Sequence, residues 1–205
     1  MMKRIGVFGG SFDPVHKGHI ALADAAVKEL KLDKLIIMPA YIQPFKKDRE
    51  TTEAGIRLEM LRLAFHKNPE IEVSDYEIMS GGISYTVNTL AHIKEQYPDC
   101  EIIFVMGTDS FISFSNWYEG KTMLRNYSLA VSERPGYKED ELHMKMDEYR
   151  LFFKTTVYSI KAAMPDCSST EIRDLIREGR SSEAGKKLDK AVLDYILLNH
   201  LYSEG

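Results

Sequence analysis

Short unbroken apolar runs alternate along the chain with stretches whose apolar residues recur every three or four positions. Arg4-Ile5-Gly6-Val7-Phe8, Leu35-Ile36-Ile37-Met38 and Ile102-Ile103-Phe104-Val105-Met106 are each closed by glycine or proline and are too short for helices, so they read as strands buried on both faces. Ile71-Glu72-Val73, Tyr127 to Val131 and Val157 to Ile160 are shorter candidates of the same kind. Between them, Ile20, Ala23, Val27 and Leu30 share one helix face, and Ile56, Met60, Leu63 and Ala64 mark a second helix from about Thr52 to His66. A third starts at Ser84 to Thr86 and carries Val87, Leu90 and Ala91 until Pro98. Ser168 and Glu171 have capping-box spacing ahead of Ile172, Leu175 and Ile176, with Gly179 as the stop. Val192 to Leu201 forms a last helix packed through Val192, Tyr195, Ile196 and Leu201, and the charged stretch Glu139 to Lys154 reads as peripheral.

Strand, helix and strand in this order predict parallel pairing with right-handed crossovers. The expected fold is α/β: a Rossmann-like doubly wound parallel sheet with helices on both faces and a C-terminal helical extension. No repeat, low-complexity tract or linker divides residues 1–205, so one domain is expected, with about 165–205 as a helical subregion.

The stretch Gly9 to Ile20 joins the first strand to the first helix and carries the densest chemistry. Gly9 and Gly10 let backbone N–H groups approach a ligand, and the helix start behind them offers unpaired donors and the positive end of its dipole. His16 and His19, with Gly18 between them to admit a ligand, add two imidazoles able to donate to phosphate oxygens. Each histidine taken alone is also a candidate helix cap. Gly107-Thr108-Asp109 follows the most apolar run; if that strand lies beside the first, both glycine loops open on one crevice. Asp109 could there accept from ribose hydroxyls or cap the Ser110 to Phe114 segment. Ser168, Ser169, Thr170 and Arg173 cluster at another helix start and form a second phosphate cradle.

Composition narrows the choice. Among 205 residues, 44% are hydrophobic and 28% charged, and the formal net charge is −4; these are ordinary values for a globular chain and disfavour a nucleic-acid partner. No apolar segment is long enough for a membrane span, and the opening residues lack an apolar signal core, so no membrane association and a cytoplasmic location are expected. Cys100 and Cys167 have no metal-ligand spacing and suit reduced thiols.

Gly9-Gly10-Ser11-Phe12-Asp13-Pro14-Val15-His16-Lys17-Gly18-His19 resembles the signature of the H-x-G-H nucleotidyltransferases, which join an adenylyl or cytidylyl group to a phosphate-bearing acceptor. Its form is similar to that of the bacterial nicotinate mononucleotide adenylyltransferases. Three further matches support this: Ser84-Tyr85-Thr86, Gly107-Thr108-Asp109 with Trp117-Tyr118 beyond it, and the S-S-T-x-I-R run from Ser168 to Arg173. The resemblance implies that His16, His19, Lys46 and Arg173 act on the transferring phosphate. It assigns ATP to Gly9, Gly10, Ser11, Phe12, Gly18, Gly107, Asp109, Ser168, Ser169 and Thr170. The acceptor falls to Asp13, Ser84, Tyr85, Thr86, Trp117, Tyr118 and Arg134, with the two aromatics stacking on its pyridine ring; alone, the single tryptophan reads equally as core filling. Pro44-Phe45-Lys46 departs from the family's proline-histidine-lysine at Phe45, which removes an imidazole and leaves Lys46 as the cation.

The activity implied is transfer of the adenylyl group of ATP to nicotinate mononucleotide, giving nicotinate adenine dinucleotide and pyrophosphate, in NAD biosynthesis. Mg²⁺ is expected to bind mainly through the ATP phosphates, with no dedicated protein metal site. A homo-oligomer is compatible with this reading. The competing readings are a relative using phosphopantetheine or nicotinamide mononucleotide as acceptor, and a non-catalytic nucleotide sensor. The sensor would be expected to lose a histidine or the arginine of S-S-T-x-I-R, and the chain keeps all of them.

Overall fold

The computed structural model describes residues 2–44, 51–133, 138–161, 163 and 165–203. In chain order the elements are β1 (Arg4–Gly10), α1 (Lys17–Leu30), β2 (Lys34–Pro39), α2 (Ala54–Phe65), β3 (Ile71–Val73), α3 (Tyr76–Ser80), α4 (Thr86–Gln96), β4 (Glu101–Gly107) and α5 (Thr108–Ser113), with a 3₁₀ turn at Phe114–Asn116. They continue with α6 (Gly120–Asn126), β5 (Ser128–Ser132), α7 (Glu139–Phe153), β6 (Val157–Ile160), α8 (Ser169–Arg177), α9 (Ser181–Lys187) and α10 (Lys190–Leu198).

The strands form one parallel sheet in the order β3-β2-β1-β4-β5-β6. The order reverses between β1 and β4, whose register pairs Val7 with Phe104 and Phe8 with Val105. The unbroken apolar character of the central strands follows from their having two covered faces. Along β4, Ile103 and Val105 belong to the core under α1, α2, α8, α9 and α10, whereas Ile102, Phe104 and Met106 belong to the core under α4, α5, α6 and α7. Each such residue contributes about 1.5–3 kcal/mol of burial, so a polar side chain at Ile103 or Val105, both fully buried, would disrupt the centre of the sheet. Among the described residues no helix is long and apolar enough to cross a membrane.

Four local expectations need correction. The 139–154 stretch is not peripheral: Leu142, Met146 and Tyr149 are buried one helical turn apart on α7, with the charges facing outward. The Tyr149 hydroxyl donates to the Phe111 carbonyl at 3.0 Å and accepts from Ser115 N–H at 3.1 Å, fastening α7 to the segment after β4. Ser168 is the N-cap of α8, but its hydroxyl makes no capping bond; Glu171 reaches Lys187 of α9 at 3.1 Å instead of closing a capping box. Asp109 is likewise not a cap, because α5 starts at Thr108, two residues before Ser110, with Gly107 as its N-cap. The last helix also ends earlier than expected, at Leu198, although Leu201 and Tyr202 still pack on the core.

Candidate active site

Two cavities open beyond the C-terminal ends of β1, β2 and β4, where an open α/β sheet that reverses its strand order leaves a crevice. One, of about 750 Å³, is lined by Gly9, Gly10, Phe104, Trp117, Tyr118 and the Ser84–Tyr85–Thr86 segment, among others. The other, of about 780 Å³, is polar and is lined by Ser11, Asp13, His19, Arg173 and the hydroxyl cluster Ser168–Ser169–Thr170, among others. Gln43 lines both, so they adjoin.

The two histidines cap α1 reciprocally. The backbone N–H of His19 donates to Nδ1 of His16, and the backbone N–H of His16 donates to Nδ1 of His19, each at 3.3 Å. A ring nitrogen that accepts carries no proton, so in the neutral imidazoles the remaining proton lies on Nε2. The rings stack with centroids 3.7 Å apart and 19° between planes. His16 is buried, while His19 faces the polar cavity. Gly18 serves this arrangement: a Cβ there would lie 3.1 Å from the His16 ring, so the missing side chain clears the imidazole. Phe12, itself buried, meets the His19 ring edge-on at 5.0 Å and supports it from beneath.

The start of α8 is drawn onto the same loop. Ser169 Oγ donates to the Pro14 carbonyl at 2.9 Å, and the Arg173 guanidinium donates to the Asp13 carbonyl at 2.7 Å and to Thr170 Oγ1 at 3.3 Å. A cation, an imidazole N–H and hydroxyls thereby converge on one polar cavity, a donor set suited to phosphate oxygens. The Asp13 carboxylate lies in this cavity's wall, and both its oxygens serve the protein: Oδ1 accepts from the Tyr202 hydroxyl at 2.6 Å and Oδ2 from Thr52 N–H at 3.2 Å. Burial, with the Asp13 charge beside it, pushes the Tyr202 phenol well above its usual range and keeps it a donor.

The other cavity is aromatic. Tyr85 and Tyr118 approach with ring centroids 4.7 Å apart. Trp117 packs on Phe114 at 5.1 Å and Phe104 at 6.2 Å while still lining the cavity, so it fills core and offers a ring face together. Tyr85 is the N-cap of α4, and its carbonyl accepts from Asn88 and Thr89 N–H; the N–H groups of Thr86 and Val87, in the first turn, have no acceptor within the helix. Trp117 N–H is engaged by the Phe114 carbonyl at 3.1 Å, which leaves Tyr118 as the candidate backbone donor of that pair. Glu77 also lines this cavity; the hydroxyls of Thr89 and Ser84 donate to its carboxyl, and burial raises its pKa more than these bonds lower it.

Among the described residues, not every expected one reaches these cavities. Gly107 and Asp109 line neither cavity, and Asp109 Oδ1 is bonded to Lys138 Nζ at 2.8 Å. Phe45, Lys46 and Arg134 lie outside the described residues. Gln43, Glu77 and Tyr202 were not anticipated. Gln43 falls in an irregular loop, where its Oε1 accepts from Ser11 Oγ at 2.5 Å; Glu77 falls in α3, five residues too short to show a stripe.

The chain belongs to the cytidylyltransferase-like family, whose model matches residues 7–175. Within it, the chain is 35% identical over 201 residues to a Clostridium perfringens protein named "Probable nicotinate-nucleotide adenylyltransferase", covering 98% of each. A Clostridium tetani protein of the same name is 34% identical over 178 residues, covering 87% of this chain and 89% of its own. The fold is similar to that of Plasmodium falciparum nicotinic acid mononucleotide adenylyltransferase complexed with NaAD, with a TM-score of 0.81, 22% identity and coverage of 98% and 97% of the two chains.

Proposed function

We propose that this chain transfers the adenylyl group of ATP to nicotinate mononucleotide, forming nicotinate adenine dinucleotide and releasing pyrophosphate in NAD biosynthesis. The observation that carries the reading is the pairing of an aromatic cavity, bordered by a helix start, with an adjoining polar cavity bordered by His19, Arg173 and α8. The names of the Clostridium relatives support the same activity.

In this reaction an oxygen of the acceptor phosphate attacks the α-phosphorus of ATP, and the bond from that phosphorus to the bridging oxygen of pyrophosphate breaks. The attacking phosphate is already anionic near neutral pH, so no side chain need become a nucleophile, and catalysis reduces to orientation and charge stabilisation. His19 offers its Nε2 proton to the phosphate oxygens while Nδ1 stays committed to the helix cap. Arg173 supplies a fixed cation, and Ser169 and Thr170 supply hydroxyls. Lys46 is assigned the remaining positive charge on the triphosphate. Trp117, Tyr118 and Tyr85 receive the pyridine ring, and the first turn of α4 receives its carboxylate.

Mg²⁺, when bound, would supply Lewis-acid neutralisation of the charge on the leaving pyrophosphate. The polar cavity offers hydroxyls and cations, with the Asp13 oxygens already bonded within the protein; this donor set fits an ion held by phosphates and water. We place the reaction in the cytoplasm, in keeping with Cys100 and Cys167 as free thiols.

Incubation with ATP, Mg²⁺ and, separately, nicotinate mononucleotide, nicotinamide mononucleotide and phosphopantetheine tests this directly. Pyrophosphate release chiefly with the first acceptor is expected. Release only with phosphopantetheine, or with none of the three, would overturn the assignment.

A further inference from the structure

Arg57, on the first turn of α2, is 2% exposed. A buried guanidinium is costly unless its donors are satisfied, and among the described residues its partners are all backbone carbonyls. Nε donates to the Thr52 carbonyl at 2.8 Å, one terminal nitrogen to the Ser11 carbonyl at 2.7 Å, and the other to the carbonyls of Ala40 at 2.7 Å and Tyr41 at 3.2 Å. Ser11 follows β1, Ala40 and Tyr41 follow β2, and Thr52 lies just before α2. The β1–β2 ladder has just ended, its last bond running from Ala40 N–H to the Gly10 carbonyl at 2.9 Å. Beyond it the two chains diverge, and their carbonyls need new partners. The guanidinium sits in that fork.

We propose that Arg57 is a positioning residue for adenylyl transfer, a clamp that fixes the two substrate cavities relative to each other. The inference rests on the function proposed above. Ser11 lines the polar cavity and Ala40 lines the aromatic one, so a single rigid fork holds one wall residue of each. Thr52, held by Nε, also donates its N–H to Asp13, which extends the clamp into the signature loop. An apolar side chain could fill this space but could hold none of the four carbonyls. Lysine would keep the charge and replace the planar fork with donors on a single nitrogen. Desolvation lowers the pKa of Arg57, partly opposed by the nearby Asp13 charge. Because the reacting atoms of two substrates must meet across the cavities, a shift of about 1 Å between the walls costs on the order of a hundredfold in rate.

The test compares wild type with Arg57→Lys and Arg57→Ala, measuring kcat, KM for ATP and for nicotinate mononucleotide, and thermal unfolding, with assays run well below each Tm. For Arg57→Lys, kcat per folded molecule is expected to fall by roughly 30- to 100-fold, with both KM values little changed. Added guanidinium at low millimolar concentration should restore part of kcat in Arg57→Ala, while urea at the same concentration should not. An unaltered kcat in folded Arg57→Lys overturns the proposal. So does a loss matching only the unfolded fraction, or failure of both variants to fold, since either would assign the residue to the core. Wild type inactive with every acceptor would instead refute the proposed function, independently of Arg57.

Discussion

His16 and His19 each accept the other's backbone N–H through Nδ1, so the helix cap and the candidate catalytic donor are two ends of one ring. The relationship separates the two roles by substitution. Asparagine places an acceptor close to Nδ1 and nothing at Nε2, whereas glutamine reaches toward Nε2. We expect His19→Asn to keep most of the stability, a cap being worth about 1 kcal/mol, yet to lose roughly a hundred- to a thousandfold in kcat. His19→Gln should lose the cap and retain more turnover than His19→Asn. Thermal melts and steady-state rates on both variants check this; equal activity in the two would remove Nε2 from the reaction.

Arg173 binds the Asp13 carbonyl and Thr170 with one edge of its guanidinium while lining the polar cavity. Arg173→Ala should raise KM for ATP and weaken pyrophosphate in the reverse reaction, each by roughly 10- to 150-fold for loss of a charge-assisted bond worth about 1.5–3 kcal/mol. Arg173→Lys should fall between, keeping the charge and losing the fork. Unchanged ATP kinetics in Arg173→Ala would move the residue out of the site.

Glu77 gives a pH signature. Burial raises its pKa in the folded protein above the ordinary carboxyl value, so folding favours the protonated form. Its contribution to stability is complete below the unfolded pKa and is lost as pH rises through the folded one, with a slope of at most about 1.4 kcal/mol per pH unit. Glu77→Gln should flatten this decline and gain on wild type toward neutral pH. Urea melts between pH 4 and 8, on the order of the range where a raised carboxyl titrates, test this; parallel curves for the two proteins would show that the carboxyl is not desolvated.

Tyr202 stands 189 positions from Asp13 in sequence and 2.6 Å from it in space. Tyr202→Phe removes a bond to a buried carboxylate oxygen and should cost about 1.5–3 kcal/mol of stability. A change below about 0.5 kcal/mol, the usual range of a surface substitution, would show that the C-terminal segment does not hold the signature loop.

This distance explains what the sequence could and could not disclose. The strands were legible because a parallel sheet covered on both faces demands unbroken apolar runs, as in Ile102 to Met106. The glycine turn, the histidine pair and the Ser168 to Arg173 cluster were legible because they are local. Arg57 was not: on a helix pattern it reads as a solvated charge, and only the carbonyls of Ser11, Ala40, Tyr41 and Thr52 gathered around it make it a buried donor. Glu77 and Gln43 lie in a short helix and an irregular loop with no periodicity to read. The α7 stripe was obscured by the charges around Leu142, Met146 and Tyr149. For His16 and His19 the sequence posed cap against phosphate donor, and the geometry lets one imidazole serve as both.

The choice of acceptor gives the sharpest test of the aromatic cavity. Nicotinate and nicotinamide mononucleotides differ in a carboxylate against a carboxamide, so discrimination requires donors with no matching acceptor. The first-turn N–H groups of Thr86 and Val87 are donors only, and Tyr118 N–H can serve as a third because Trp117 N–H is engaged by Phe114. A carboxylate accepts at both oxygens; a carboxamide must turn its NH₂ toward these donors or leave one unpaired. An unpaired buried donor costs roughly 1–3 kcal/mol, and lost charge assistance adds to it. We therefore expect kcat/KM to favour nicotinate mononucleotide by at least about tenfold and up to about a thousandfold. Competition of the two mononucleotides for limiting enzyme measures the ratio directly. Equal use, or preference for the amide, would remove these backbone donors from acceptor recognition even with adenylyl transfer intact.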